Sequence, residues 1–465
     1  MPVFLDLFPI AFSIGENAFS RYRFADTNLN FPGIEAGKNN RGVPFFKDQH
    51  KEVFMKGKAA LSFGMIVLLV LAFGFQASAQ QKKPIIVGFV HTMSGGMSMY
   101  GVSSEFGGQL ALEEINAAGG VLGRPMKMIT RDDKLNPEVG LREAKDLLWS
   151  EKVDFLSGTI SSAVGLAISN LAKREKKLYF ITIAHSSPIT EENFHPYVFR
   201  ISSNTVPYFG YAPAIAHFKK WKDKKFVSLG FDYESGRNSI KQFKEKYMEL
   251  VPDAKFGDEM WCPLNTTDFT PYITKIANSG AEAVFLAVIY GGGEIAFTRQ
   301  ANDFGLYDKF HMNHPCAGDV ETWSNVKKGE PYPRGALATC RYPFWAFQDP
   351  RNKAFVEKHY NKLGFYPSYG ALYQYTAMYA MKAGIEKVGG VDTEKMIKAM
   401  EGMVVDTLIG KVPLRAFDHQ TMMPTWYGTM DFAPGLPFPH ITQIEKMGEE
   451  SYHTIDQIKK IRAGK

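Results

Sequence analysis

The chain has 465 residues, 45% hydrophobic and 22% charged, which is globular composition with material for two lobes or domains and argues against wholesale disorder. Lys+Arg 54 against Asp+Glu 48 leaves a net +6, too little over this length to point to a nucleic-acid partner. Three cysteines exclude a disulfide-dense scaffold, and with no CxxC a cysteine-based zinc site has no anchor.

From residue 55 the chain reads MKGKAALSFGMIVLLVLAFGFQASAQ. Lys56 and Lys58 give a basic start, 59–75 is an uncharged apolar run, and Ala77-Ser78-Ala79 has the small-x-small form of a cleavage site. These are the three parts of a secretory signal peptide at 55–79. A membrane anchor is the alternative, but the run is at the lower limit of the ~20 residues a span needs. No cysteine follows it, so a lipid anchor is not indicated. Residues 1–54 show no sustained period and are expected to be a non-native upstream extension, with translation starting at Met55. The exported form would begin at residue 80, in an oxidising compartment where Cys262, Cys316 and Cys340 could form at most one intramolecular disulfide.

The next segments alternate. PIIVGFV at 84–90 reads as a buried strand, followed by a glycine-rich loop and an amphipathic helix over 106–117 that Gly119-Gly120 stops. A strand is expected at 126–130, a helix opened by Pro137, a strand at 153–157, a helix over 162–174 and a strand at 178–183. The pattern restarts after Arg200, with helices at 207–221, 238–250, 269–279 and 294–304 and strands at 226–230, 255–261, 283–289 and 310–313. Short connections between alternating strands and helices demand parallel strands and crossover helices, here in two doubly wound α/β halves. The remainder reads as helices at 350–363, 369–388 and 393–400, then short strands at 426–430 and 440–444. The Tyr and Met stripe over 369–388 reads as core.

Catalytic signatures are missing: GxSxG, GxxxxGK[ST], HExxH and a GxGxxG after the first strand are all absent. His311 and His314 are read as surface or hydrogen-bonding histidines, and Asp132-Asp133 as a loop or capping pair. No cofactor is expected. Polar loops remain at strand C-terminal ends, where open α/β sheets bind ligands: 94–100, Ser161-Ser162, His185-Ser186-Ser187, 232–236 and 290–293. Ser161 and Ser162 open a helix whose free N–H groups suit a carboxylate, although plain N-capping explains either residue alone.

On the segments IIVGFVHTMSGGMSMYG, ALEEINAAGGVLGRPMKMITRDDKLNPEVGLREAKDLL, GTISSAVGLAISNLA, ITIAHSSPIT and RQANDFGL, the chain resembles the leucine/isoleucine/valine-binding family of class I periplasmic binding proteins, which serve ABC importers. The resemblance covers residues 84–465. It implies two Rossmann-like lobes joined by a three-segment hinge, 84–200 with 341–423 and 201–340 with 424–465. It also implies a periplasmic monomer that closes on a small ligand and hands it to an ABC permease in the inner membrane. By the same resemblance Tyr100 packs on the ligand, Ser161 and Ser162 hold its carboxylate, and His185, Ser186, Ser235 and Tyr290 line the cleft.

The family's acid for the ligand ammonium has no counterpart at 313–316, and Asp319 is the nearest. A buried ammonium without such a partner is strongly disfavoured. The expected ligand is therefore a carboxylate lacking an α-ammonium, an aromatic, aliphatic or keto acid, with a branched-chain amino acid retained if Asp319 or Glu234 turns inward. His185 is expected to add a donor, and a positive charge when protonated, beside the carboxylate loops. A ligand sensor of the same fold, passing occupancy to a signalling partner, is the alternative; an enzyme built on His185 or Asp132 lacks a nucleophile, base and oxyanion site together.

Overall fold

The structure, a computed structural model, describes residues 82–222 and 224–464. The expected signal peptide and upstream extension lie outside the described residues. Two mixed, mainly parallel sheets carry the fold.

The first sheet begins with β1 (Ile85–His91), whose side chains are almost all buried, as a parallel strand covered on both faces requires. Then come α1 (Ser98–Ala117), β2 (Met126–Asp132), α2 (Pro137–Trp149), β3 (Phe155–Gly158), α3 (Ser162–Glu175), β4 (Tyr179–Ile181) and β5 (Val198–Arg200). The Asn136 side chain caps α2, with Pro137 in the first turn where its missing N–H costs nothing. The parallel strands run in the order β2-β1-β3-β4-β5. Alternate residues feed opposite faces. Phe155 and Phe180 join one core, whereas Leu156 and Tyr179 pack with Leu147 and Ile168 in the other.

The second sheet follows with α4 (Ala212–Trp221), entered through a wide helical turn at Val206–Tyr211, then β6 (Phe226–Phe231), α5 (Glu234–Leu250) and β7 (Phe256–Cys262). It continues through α6 (Thr270–Ala277), β8 (Ala283–Ala287), α7 (Gly291–Asp303), α8 (Leu306–Lys309), β9 (His311–Asn313), α9 (Val320–Trp323) and β10 (Leu337–Cys340). Its parallel strands run β7-β6-β8-β9-β10, the order of the first sheet.

After β10 the chain returns to the first lobe as α10 (Pro350–Leu363), α11 (Tyr369–Val388) and α12 (Thr393–Met400). β11 (Val404–Thr407), β12 (Gly410–Arg415) and β13 (Gln420–Thr421) extend the first sheet beyond β5. β14 (Thr425–Asp431) and β15 (His440–Met447) then add antiparallel to β10 at the edge of the second. The last helix, α13 (Ile455–Ala463), turns back: Arg462 donates to the carbonyls of Thr190 and Glu191 in the first lobe.

Several elements extend past or add to the sequence reading. α1 starts at Ser98, eight residues earlier than its amphipathic pattern, because Gly101 and Gly107 serve close packing and not a loop. A Cβ on Gly107 would stand 2.3 Å from the carbonyl oxygen of Ala371 in α11, and one on Gly101 would stand 2.1 Å from that of Thr92. The strands β5, β10 and β11 to β13, together with α13, carry no sequence expectation; most are two to four residues long, too short for a period to register.

Candidate ligand-binding site between the lobes

In each sheet the strand order reverses between the first and third parallel strands. That is the switch point at which open α/β sheets hold ligands beyond the strand C-termini. In the first lobe Tyr100 follows β1 and Ile160 follows β3. In the second, Tyr233 follows β6, and Val288 and Tyr290 follow β8. These residues meet. They enclose one small cavity with His185 and Tyr369 on the first-lobe side and Phe209, Cys316 and Asp319 on the second. Its floor is Arg341, the first residue after β10, on the segment that crosses between lobes. The free volume is about 20 Å³, room for one water. A ring-sized ligand needs the walls further apart, which a hinge between lobes provides. Beyond Tyr100 the cleft widens into an outer chamber of about 760 Å³, bordered by Met99 and by Gly291, Arg299 and Trp323.

Arg341 organises the site. Its side chain is almost wholly buried. The guanidinium carbon lies 3.3 Å from the ring centroid of Tyr369 and 4.1 Å from that of Tyr208, a cation between two aromatic faces from opposite lobes. Its Nε donates to Asp319 Oδ2 at 3.0 Å, Nη2 pairs with the same oxygen, and the Arg341 backbone N–H donates to Oδ1 at 3.1 Å. The Tyr208 hydroxyl donates to Oδ2 at 2.7 Å. Burial opposes the guanidinium charge, but the Asp319 carboxylate outweighs it and holds the group protonated. Asp319 therefore lies in the cavity wall with both oxygens already engaged.

His185, expected as a donor that is charged when protonated, does not carry the charge. Burial, and then the charge of Arg341, hold its pKa well below the ordinary range, so the ring is neutral. Its Nδ1 faces the carbonyl of Ser203 at 3.4 Å, and Nε2 contacts Arg341 Nη1. That pairing places the proton on Nδ1 and makes Nε2 an acceptor from Arg341. The 184–186 loop is shaped by a second buried arginine. Arg200 donates to the carbonyls of Ala184, His185 and Ser186 at 3.2, 2.7 and 2.7 Å. Burial lowers its pKa to about 10, still well above neutrality.

Of the residues expected at the site, Tyr100, His185, Tyr290 and Asp319 border the cavity. Tyr290 lies edge-on to Phe231, with its hydroxyl 3.4 Å from that of Tyr233. Ser161 and Ser162 stand one and two residues beyond the cavity-lining Ile160. Ser161 Oγ caps α3 by accepting from Val164 N at 3.4 Å, and Ser162 Oγ accepts from Ser186 N at 3.1 Å. Ser186 Oγ donates across the lobes to Glu234 Oε1 at 2.7 Å. Ser235 is buried in the first turn of α5, outside the cavity wall.

Sequence reading missed Arg341, Tyr208 and Tyr369. A lone arginine between Cys340 and Tyr342 has no periodic signal, and its partners, His185, Tyr208, Asp319 and Tyr369, come from four separate segments. The Asp132-Asp133 pair braces loops. Asp133 accepts from the Thr92 and Thr159 hydroxyls, and Asp132 from Met93 N and Ser94 Oγ. Cys262, Cys316 and Cys340 are all free and buried.

Two lobes with facing switch points, a hinge and a buried cavity between them define a ligand-binding protein of the flytrap type. The chain belongs to the periplasmic binding protein family, whose description matches residues 84–433. It is similar to the leucine-, isoleucine-, valine-, threonine- and alanine-binding protein of Pseudomonas aeruginosa, 24% identical over 347 residues, covering 73% of this chain and 88% of that one. It is also similar to Leu/Ile/Val-binding protein homolog 6 of Brucella melitensis, 27% identical over 348 residues, with 73% and 85% covered. Among solved structures it is similar to an ABC-transporter solute-binding protein of Rhodopseudomonas palustris in complex with 3,4-dihydroxybenzoic acid. The TM-score is 0.69 at 22% identity, covering 79% of this chain and 98% of that one. Another from R. palustris, in complex with 4-hydroxybenzoate, gives a TM-score of 0.69 at 23% identity, with 80% and 100% covered. Among the described residues no helix is long and apolar enough to cross a membrane.

Proposed function

We propose that this chain is the extracytoplasmic binding component of an ABC importer. Its lobes, 84–200 with 341–423 and 201–340 with 424–465, close on a small carboxylate that lacks an α-ammonium and deliver it to a membrane permease. The observation that carries the ligand class is the state of Asp319. Its oxygens are taken by Arg341 and Tyr208, so the acid nearest the expected ammonium position is not free to receive one. An unpaired buried ammonium costs several kcal/mol. An acid with a planar or branched apolar body instead meets the rings of Tyr100 and Tyr290.

The relatives' names point to branched-chain amino acids, and several solved neighbours hold hydroxybenzoates. The engaged Asp319 favours the second chemistry, and an amino acid requires Asp319 to leave Arg341 or Glu234 to turn inward from Ser186. In this reading residues 55–79 are a cleaved signal, the protein acts as a monomer in the periplasm, and it performs no catalysis.

A thermal-shift screen of residues 80–465 tests the proposal. Benzoates or branched aliphatic acids should stabilise the fold, by about 2.7 kcal/mol at 100 times the dissociation constant. Stabilisation by amino acids alone, with none by acids, would refute the ligand class.

A further inference from the structure

We infer that Arg341, and not the Ser161/Ser162 pair, receives the ligand's carboxylate. This inference deepens the proposed function and rests on its carboxylate reading.

The two candidate receptors differ in where they stand relative to the cavity. Each serine hydroxyl accepts one hydrogen bond, Ser161 from Val164 N and Ser162 from Ser186 N, and keeps its O–H to donate, but neither residue borders the cavity. Arg341 does border it. The hydrogen bonds of Nε and Nη2 to Asp319 fix the plane and direction of the guanidinium, and the rings of Tyr208 and Tyr369 confine it from both sides. Nη1 is turned away from Asp319, and its contact is the neutral Nε2 of His185. A neutral imidazole nitrogen is a weaker partner for a guanidinium than a carboxylate oxygen, because charge-assisted hydrogen bonds are roughly twice as strong. As the lobes part, an incoming carboxylate takes the acceptor position at Nη1. His185 then lies beside it, still held by its Nδ1 contact to Ser203.

The location adds a consequence. Arg341 is on a crossover segment and touches rings from both lobes, so it stays at the cleft base in the open form. The anion is bound there first, and closure then brings Tyr100 and Tyr290 onto the apolar body. Asp319 has a positioning role. It aims the arginine and offsets its charge, and in doing so is not itself free to receive an ammonium.

The experiment is calorimetry on residues 80–465 with benzoate, 4-hydroxybenzoate and 4-methylpentanoate, and with benzamide as the neutral counterpart of benzoate. Arg341→Gln should weaken the acids bound by the unaltered protein by tenfold or more and change benzamide binding by less than threefold. Ser161→Ala and Ser162→Ala should each leave acid affinity within threefold. Removing one partner of a buried ion pair threatens folding. The double variant Arg341→Gln/Asp319→Asn, which leaves no unpaired charge, should show the same selective loss. Acid binding undiminished in the Arg341 variants, or abolished by the serine variants, would overturn the assignment while leaving the carboxylate reading intact. Failure of the unaltered protein to bind any acid would overturn both.

Discussion

Replacing Glu321 by Gln should flatten the dependence of stability on pH above neutrality. Glu321 lies on α9 in the second lobe, almost fully buried, and its Oε1 accepts the backbone N–H of Tyr369, in the first turn of α11 in the first lobe, at 3.1 Å. Burial, followed by repulsion from Asp319, pushes its pKa up to about 8; Arg341 and the Tyr369 N–H act in the opposite direction. In the unfolded chain an ordinary glutamate titrates near 4.3. The folded state therefore holds a proton that the unfolded state has lost. This contribution is fully present below the unfolded pKa and is lost as pH rises towards about 8, at up to ~1.4 kcal/mol per pH unit.

Between pH 6.5 and 8.5 that amounts to about 1–2 kcal/mol. The glutamine amide would mimic the neutral acid, keeping the carbonyl acceptor for Tyr369 without the titration. Buried histidines oppose the trend only in acid. His91, His314 and His359, each lowered to about 4 by burial, withdraw stability as pH falls below 6.5. Glu294, raised by burial, and His453, raised by Glu191 against its burial, slope in the same direction as Glu321. The quantity to read is thus the difference between the two proteins. Urea unfolding of residues 80–465 and its Glu321→Gln variant at pH 6.5, 7.5 and 8.5 should show the variant gaining about 1–2 kcal/mol on the parent across the series. Parallel curves would refute the claim that this carboxyl is buried protonated between the lobes.

Tyr100 separates the inner cavity from the outer chamber, so Tyr100→Ala should weaken benzoate and strengthen biphenyl-4-carboxylate; equal losses of both by calorimetry would contradict the partition. Gly107→Ala should destabilise the fold by about 1–3 kcal/mol in chemical denaturation, because α11 backbone and not a flexible side chain stands in the way. Arg200→Met strands the buried carbonyls of residues 184–186 and should lower both stability, by about 1–3 kcal/mol, and acid affinity; an unchanged melting curve would mean water replaces the guanidinium. All three thiols should resist a disulfide reagent in the native protein and titrate as three equivalents in denaturant.

The parallel core of each lobe was legible because buried strands such as β1 and β8 are continuous apolar runs next to glycine-containing loops, a signal local to the segment. Tyr100, His185 and Tyr290 fall in loops at strand C-terminal ends, which can be located once the strands are, whereas Asp319 is reached only through the resemblance to the binding-protein family. Their electrostatic roles were not legible. The neutrality of His185 follows from burial and then from Arg341, and the engagement of Asp319 from Arg341 and Tyr208; that arginine comes from a crossover with no pattern, and its partners are distant in sequence. The edge strands β11 to β13 and the returning α13 were illegible for a related reason: each is placed by the element it adds to, not by its own period.

The most direct test of the central claim is a paired calorimetric titration of residues 80–465 with 4-methylpentanoate and leucine, which share a carbon skeleton and differ by the α-ammonium. The account predicts saturable binding of the acid and at least tenfold weaker binding of leucine. Tight leucine binding with no measurable binding of the acid would contradict it, placing a free carboxylate where Asp319 is held by Arg341.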